Sequence, residues 1–120
     1  MKKKTLILGA SPEIERYANK AAHRLVQAGH PIVNIGVRSG EVAGVPIEKA
    51  DKVYDDVHTI TLYINPAKQA LYYQYILDTK PLRIIFNPGA ENKVLKMMVE
   101  QAGIEAIEAC TLVLLATDQF

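Results

Sequence analysis

Four short segments that could contact a ligand each follow an apolar, strand-like run of the sequence. They are residues 9–12, 37–40, 65–66 and 87–89, and they are rich in glycine, proline, serine and asparagine. In an open parallel sheet, ligands bind beyond the carboxyl ends of the strands, near the point where the strand order reverses. We therefore predict that these segments meet at one sheet edge and form a binding site.

Residues 9–11, Gly9-Ala10-Ser11, could hold a phosphate group. They precede a helical pattern, and the backbone N–H groups and dipole at a helix start attract anions. The three-glycine fingerprint of dinucleotide-binding folds is incomplete, because Gly9 fits its first position, Ser11 occupies its second and no third glycine follows. An ordinary helix-capping role for Ser11 is the alternative.

Arg38 indicates which kind of nucleotide the site would take. NAD-binding versions of the fold place an acidic residue at the end of the second strand, against the ribose hydroxyls. Arginine suits a ribose phosphate instead, which favours NADP or the 3′-phospho-ADP part of coenzyme A, whereas a solvent-exposed loop arginine is the alternative.

Arg16 could reach a pyrophosphate, while Tyr17 belongs to an apolar helical stripe and by default packs in the core. For Asn65 and Asn87, a role as a helix cap or turn residue is the first interpretation, and contact with a ligand is the second.

Few groups in the sequence could perform catalysis. The three histidines have no spacing typical of metal ligands, and no nucleophile-elbow or phosphate-loop lysine motif occurs. Glu41, Glu91 and Cys110 are the groups near strand ends that could transfer a proton. Acidic residues are common at helix starts, and a lone cysteine among apolar residues is more often a buried hydrophobe. We therefore predict neither catalytic residues nor a metal site.

The elements that must position these residues alternate along the chain. Strands are predicted at residues 5–9, 31–37, 59–64, 82–86 and 104–107, with a weak edge strand at 45–47. Helices are predicted to begin at Ser11-Pro12 and Asn65-Pro66, where a capping residue precedes a proline, and after residues 87–89. Segment 111–115 is apolar, but its pattern favours neither a helix nor a strand.

Helical spacing predicts the buried faces of these three helices. They are Tyr17, Ala18, Ala21, Ala22, Leu25 and Val26; Leu71, Tyr72, Tyr75 and Ile76; and Val94, Leu95, Met98, Val99 and Ala102. The alternation predicts an α/β domain with a doubly wound, mostly parallel sheet and helices on both faces, which is a Rossmann-like fold.

Composition limits the class of protein. A chain of 120 residues with 49% hydrophobic and 22% charged residues is typical of one globular domain, predicted for residues 1–120. The net charge of +1 gives no indication of a nucleic-acid or acidic-membrane partner. The apolar run after residues 1–4 is too short for a secretion signal or a membrane helix, and one cysteine excludes a disulfide framework. A soluble, cytoplasmic protein is expected.

Five segments, taken together, carry a family resemblance. They are residues 9–12 with Arg16-Tyr17, and residues 36–41, 62–66, 85–92 and 108–113. In this order and spacing they resemble the small stand-alone CoA-binding domain proteins, which are similar to the CoA-binding domain of succinyl-CoA synthetase alpha subunits. Those ligases use further domains and a phosphorylated histidine, so ligase activity of this chain alone is not expected.

The resemblance implies coenzyme A, or an acyl-CoA, as the ligand. Phosphates would lie over residues 9–11 with Arg38 near the adenosine phosphate, adenine and ribose beside residues 63–66, and the pantetheine arm towards residues 87–89. The predicted cofactor-binding residues are Gly9, Ala10, Ser11, Arg16, Tyr17, Val37, Arg38, Tyr63, Ile64, Asn65, Pro66, Asn87, Pro88 and Gly89. Binding without catalysis is the expected function, and an NADP-linked reductase or a small acyl or thioester transferase is the alternative. A third interpretation is an interaction subunit that forms a homodimer through residues 111–115 or the sheet edges.

Overall fold

The computed structural model describes residues 2–120. Its strands are β1 Thr5–Leu8, β2 Ile32–Ile35, β3 Glu41–Val42, β4 Val45–Glu48, β5 Thr59–Leu62, β6 Arg83–Phe86 and β7 Glu105–Glu108. Its α-helices are α1 Tyr17–Gln27, α2 Pro66–Gln69, α3 Tyr73–Thr79, α4 Lys93–Gln101 and α5 Thr111–Ala116, with a 3₁₀ turn at Ala70–Tyr72. Strands and helices thus alternate along most of the chain.

The strands form one sheet in the order β3-β4-β2-β1-β5-β6-β7. Neighbouring strands run parallel, except for the antiparallel pair β3–β4 at one edge. Leu8 of β1 is in register with Ile35 of β2 and Leu62 of β5, so these three strands end at the same level. The chain leaves β1 towards β2 on one side and later returns to β5 on the other, which makes this end of β1 the switch point. The predicted Rossmann-like fold is confirmed.

Two apolar layers cover the faces of the sheet. Ile7 and Ile85 pack with α1 and α5 on one face, whereas Leu6 and Leu8 pack with α3 and α4 on the other. Every residue of β1, β2, β5 and β6 is buried. Parallel strands covered on both faces read as continuous apolar runs, which is why they could be recognised in the sequence.

The first helix begins later than predicted, at Tyr17 rather than at Ser11-Pro12. The Ser11 Oγ accepts a hydrogen bond from the Glu13 N–H at 3.1 Å, and such a local turn competes with helix formation. Core packing of Tyr17 was therefore a wrong prediction: its side chain is 67% exposed, beside the Lys20 ammonium at 5.4 Å from the ring centre. Residues 11–16 form a loop instead.

The second predicted helix begins at Pro66, as expected, but it is interrupted. The 3₁₀ turn at Ala70–Tyr72 separates α2 from α3 and changes the angular spacing of the side chains. Tyr75 and Ile76 are buried, whereas Leu71 is 83% exposed, so its predicted place on the buried face was wrong.

Smaller differences occur at the ends of elements. Val26, Val94 and Ala102 were predicted on buried faces, but they are exposed, so the buried stripes of α1 and α4 are narrower than predicted. The edge strand predicted at residues 45–47 is confirmed as β4. The partner strand β3 was missed, and the buried Asn34 side chain holds the hairpin by donating to the carbonyl oxygens of Val42 and Val45.

The interruption at the 3₁₀ turn predicts unequal losses of stability for substitutions at two apolar residues on either side of it. Ile76→Ala should lower the free energy of unfolding by about 2–5 kcal/mol, because it leaves a cavity in the core. Leu71→Ala, the matched control, should change it by less than about 0.5 kcal/mol. Urea denaturation of both variants measures this, and similar losses would contradict the exposure of Leu71.

Candidate ligand-binding cleft

A cleft opens at the carboxyl end of β1, between the loops that follow β2 and β5. Its volume of about 480 Å³ lies within the ~300–1,000 Å³ range of small-molecule sites. The residues that line it are Gly9, Ala10, Ser11, Glu13, Arg16, Tyr17, Ala18, Gly36, Val37, Arg38, Tyr63, Ile64, Asn65, Lys68, Tyr72, Pro88, Gly89 and Ala90. All the predicted binding residues except Pro66 and Asn87 are among them.

Close backbone packing forms the floor of the cleft. A Cβ atom on Gly36 would lie 2.3 Å from the Ala10 carbonyl oxygen, a distance that no side chain can tolerate. Gly9 has φ +102°, and a Cβ there would lie 3.1 Å from the Tyr63 carbonyl carbon. The N–H groups of Gly9 and Ala10 both donate to the Ile35 carbonyl oxygen, at 2.9 and 2.8 Å. The loops after β1, β2 and β5 are thus in direct contact.

The N-terminus of α1 opens onto the cleft. Among residues 2–120, no side chain caps this helix start, and Arg16, Tyr17 and Ala18 line the cleft. The first N–H groups of a helix have no partner within the helix and favour anions. The Asn19 side chain donates to the Ser11 carbonyl oxygen at 3.0 Å and ties the preceding loop to the helix. The start of α1 thus offers N–H groups that no side chain caps, whereas the N–H groups of Gly9 and Ala10 donate to Ile35.

Charged side chains stand around the cleft. Arg16, Arg38 and Lys68 line it together with one carboxylate, Glu13. The Glu13 Oε2 accepts a hydrogen bond from the Arg16 Nε at 2.9 Å, and its Oε1 accepts one from the Arg38 Nη1. The hydrogen bond from Arg16, and then that from Arg38, lowers the pKa of Glu13, so the carboxylate is ionised at neutral pH. Three cations against one anion give the cleft a positive charge that favours an anionic ligand.

Aromatic and aliphatic side chains provide the remaining wall. Tyr63, Ile64 and Tyr72 are partly buried along it, and Val37 is exposed at its margin. Burial raises the pKa of Tyr63 to about 12, so its hydroxyl stays protonated at neutral pH. A charged margin beside an apolar wall suits a ligand that has both an anionic and an apolar part.

Buried amides position the side of the cleft formed by α2. The fully buried Gln69 side chain donates to the carbonyl oxygens of Ile64 and Ala90, at 2.8 and 2.7 Å. Asn92 donates to the Gln69 Oε1 at 2.8 Å. These bonds fix α2, which carries Lys68, against the loop that follows β6.

Asn87 supports the cleft from behind. It is 2% exposed, and its Nδ2 donates to the Thr61 Oγ1 at 2.8 Å and to the Leu62 carbonyl oxygen at 3.0 Å. Its Oδ1 accepts from the N–H of Thr111, the first residue of α5, at 2.9 Å. The sequence allowed Asn87 to be a cap residue or a ligand contact, and this bond to the start of α5 favours the role of a cap. Pro66 also lies outside the lining, as the first residue of α2.

Several lining residues were not among those predicted, although some left a signal in the sequence. Glu13 precedes Arg16 by three residues, a spacing that allows an ion pair, and a glycine next to a strand, such as Gly36, often marks a close backbone approach. Lys68 left no such signal, because a lysine in the last turn of a helix such as α2 is common whether or not it faces a ligand. The other lining residues missed are Ala18, Tyr72 and Ala90.

The groups considered for catalysis do not line the cleft, although Glu91 follows the lining residue Ala90. Glu41, Glu91 and Cys110 are absent from the lining, and the Glu91 Oε1 accepts from the Gly89 N–H at 2.8 Å in a local turn. His30 and His58 precede β2 and β5, at the opposite end of the sheet. Within residues 2–120, no three side chains of the metal-binding types cluster as ion ligands. In the same part of the chain, no helix has the length and apolarity needed to cross a membrane.

The bonding of Asn87 predicts a loss of stability on substitution. Asn87→Ala should lower the free energy of unfolding by about 1–3 kcal/mol, because it leaves buried donors and acceptors of β5 and α5 unpaired. Asn65→Ala is the matched control: this exposed N-cap makes no side-chain capping bond, so a change below about 0.5 kcal/mol is expected. Denaturant titration checks both, and equal values would contradict the structural role of Asn87.

Solved structures share this architecture. A crystal structure of an uncharacterized protein aligns with a TM-score of 0.98 and 49% identity, covering 100% of this chain and 99% of that one. A protein from Thermus thermophilus aligns with a TM-score of 0.85, 18% identity and coverages of 99% and 91%. A hypothetical protein from Pyrococcus horikoshii aligns with a TM-score of 0.80, 22% identity and coverages of 93% and 80%. At such low identity the last two show the fold alone.

The family is shown by a match at the level of sequence. No protein of curated function matches the chain. A family model described as a CoA binding domain matches residues 3–116, a range that includes every residue lining the cleft. The resemblance stated from the sequence is thereby confirmed, and the chain belongs to the CoA-binding domain family.

Proposed function

We propose that this protein binds coenzyme A, or an acyl-CoA, in the cleft at the end of β1. The observation that carries the proposal is the uncapped start of α1, flanked by Arg16 and Arg38. Coenzyme A bears a pyrophosphate and a ribose 3′-phosphate, and both groups need concentrated N–H donors. The donor set of the cleft fits these phosphates, and membership of the family supports the same ligand.

Each part of the ligand is assigned to the part of the cleft whose side chains suit it. The pyrophosphate would lie over residues 9–11 and the start of α1, with Arg16 beside it, and the 3′-phosphate would meet Arg38. Adenine and ribose would pack against the side formed by Tyr63 and its neighbours, where aromatic surface is available. The pantetheine arm would run past Pro88 and Gly89.

Binding without catalysis is the second part of the proposal. Proton transfer needs a group whose pKa lies near the operating pH. The pKa of Glu13, the carboxylate on the wall, is lowered by its arginine partners, and that of Tyr63 is raised to about 12. Neither group therefore suits a proton transfer at neutral pH, which supports binding alone for these two residues of the wall.

Calorimetry with matched ligands tests the proposal. Arg38→Ala should weaken coenzyme A binding by roughly 1–3 kcal/mol, the scale of a lost charged hydrogen bond, and should leave dephospho-CoA binding nearly unchanged. Arg24→Ala is the control, because it removes the same charge from an exposed position at the other end of α1. Titrations at one fixed ionic strength keep screening constant.

Three outcomes would contradict parts of the proposal. Equal affinity of the wild type for coenzyme A and dephospho-CoA would remove the role of Arg38. Tighter binding of NADP than of coenzyme A would favour the reductase alternative. Absence of binding to any of the three nucleotides would overturn the function proposed here.

A further inference from the structure

Glu13 occupies an unusual position for a carboxylate in a cleft that suits anions. Both of its oxygens are engaged, Oε2 with the Arg16 Nε at 2.9 Å and Oε1 with the Arg38 Nη1. These are the two arginines of the cleft wall. A single residue thus bridges the loop after β1 and the loop after β2.

The backbone presents Glu13 to these arginines in a fixed way. Its N–H donates to the Ser11 Oγ at 3.1 Å, and its carbonyl oxygen accepts from the Arg16 N–H at 3.1 Å. The adjacent Pro12 packs against Gly40, where an added Cβ would lie 3.1 Å from the Pro12 Cβ. The Glu13 side chain therefore starts from an ordered turn rather than from a mobile loop.

A carboxylate and a phosphate compete for the same donors. Both accept hydrogen bonds from the fork of N–H groups on a guanidinium. Glu13 is about one-third exposed and its partners are more exposed, with side-chain accessibilities of 32%, 67% and 58% for Glu13, Arg16 and Arg38. Ion pairs this exposed are weak, so an entering phosphate can displace the carboxylate, but two anions at the same guanidinium repel each other.

We propose that Glu13 is a resident anion of the cleft, which a ligand phosphate must displace from Arg16 and Arg38. Glu13 would then determine how tightly the cleft binds its ligand. It would also keep the arginines paired and discourage weaker monoanions. This inference rests on the proposed function to the extent that the displacing group is a phosphate of a nucleotide bound in the cleft.

Neutralising Glu13 tests the competition directly. Glu13→Gln should tighten the binding of coenzyme A by about two- to tenfold, the range expected when exposed ion pairs no longer compete. Glu15→Gln is the matched control, because Glu15 is an exposed residue of the same loop and the net charge changes equally. It should change the affinity by less than the Glu13 variant does.

A double variant identifies the arginine through which Glu13 acts. In an Arg38→Ala background, Glu13→Gln should give a smaller gain for coenzyme A, because one of its two partners is gone. A weaker affinity of Glu13→Gln than of the wild type would overturn the proposal, since it would mean that Glu13 positions the arginines for the ligand. Equal effects of Glu13→Gln and Glu15→Gln would overturn it as well.

Inorganic pyrophosphate separates this inference from the proposed function. If the wild type binds coenzyme A but Glu13→Gln gains nothing, only the resident-anion proposal fails. If coenzyme A does not bind to either protein but pyrophosphate binds more tightly to Glu13→Gln, the resident anion is supported and the proposed function fails. If neither probe binds to either protein, both proposals are overturned.

Discussion

Parallel pairing places Leu8, Ile35 and Leu62 at one level of the sheet. The loops that follow these three strands therefore begin in the same small volume. The loops can pack this closely because one of the contacting residues is a glycine. Gly36 lies directly against the Ala10 carbonyl oxygen, where there is no room for a Cβ atom. The residues that follow these strands are consequently directed to the rim of the cleft. Arg38 on one of these loops bonds to Glu13 on another.

Uncharged amides connect the loops and helices around this rim. Four of these side chains are buried or partly buried and bond to residues eight to 26 positions away in the sequence; they are Asn19, Gln69, Asn87 and Asn92. A buried amide satisfies several partners without the desolvation cost of a buried charge. It also does not titrate in the physiological range. The support that these amides give the cleft therefore does not depend on the ionisation of the residues that face a ligand.

Most of the strands and the location of the cleft could be predicted from the sequence, because apolar runs and turn residues are local signals. The start of α1 could not, since Ser11 prefers to bond the Glu13 N–H, and the exposure of Tyr17 follows from that later start. The place of Lys68 on the cleft wall and the burial of Asn87 depend on tertiary contacts between distant segments. Local propensity carries no information about such contacts.

The distribution of aromatic residues has an optical consequence. The chain has six tyrosines and no tryptophan, so tyrosine dominates its ultraviolet emission. Three of these tyrosines, Tyr17, Tyr63 and Tyr72, line the cleft. A ligand that fills the cleft would therefore change the surroundings of half of the tyrosines, and the emission of the unlabelled protein would report its binding.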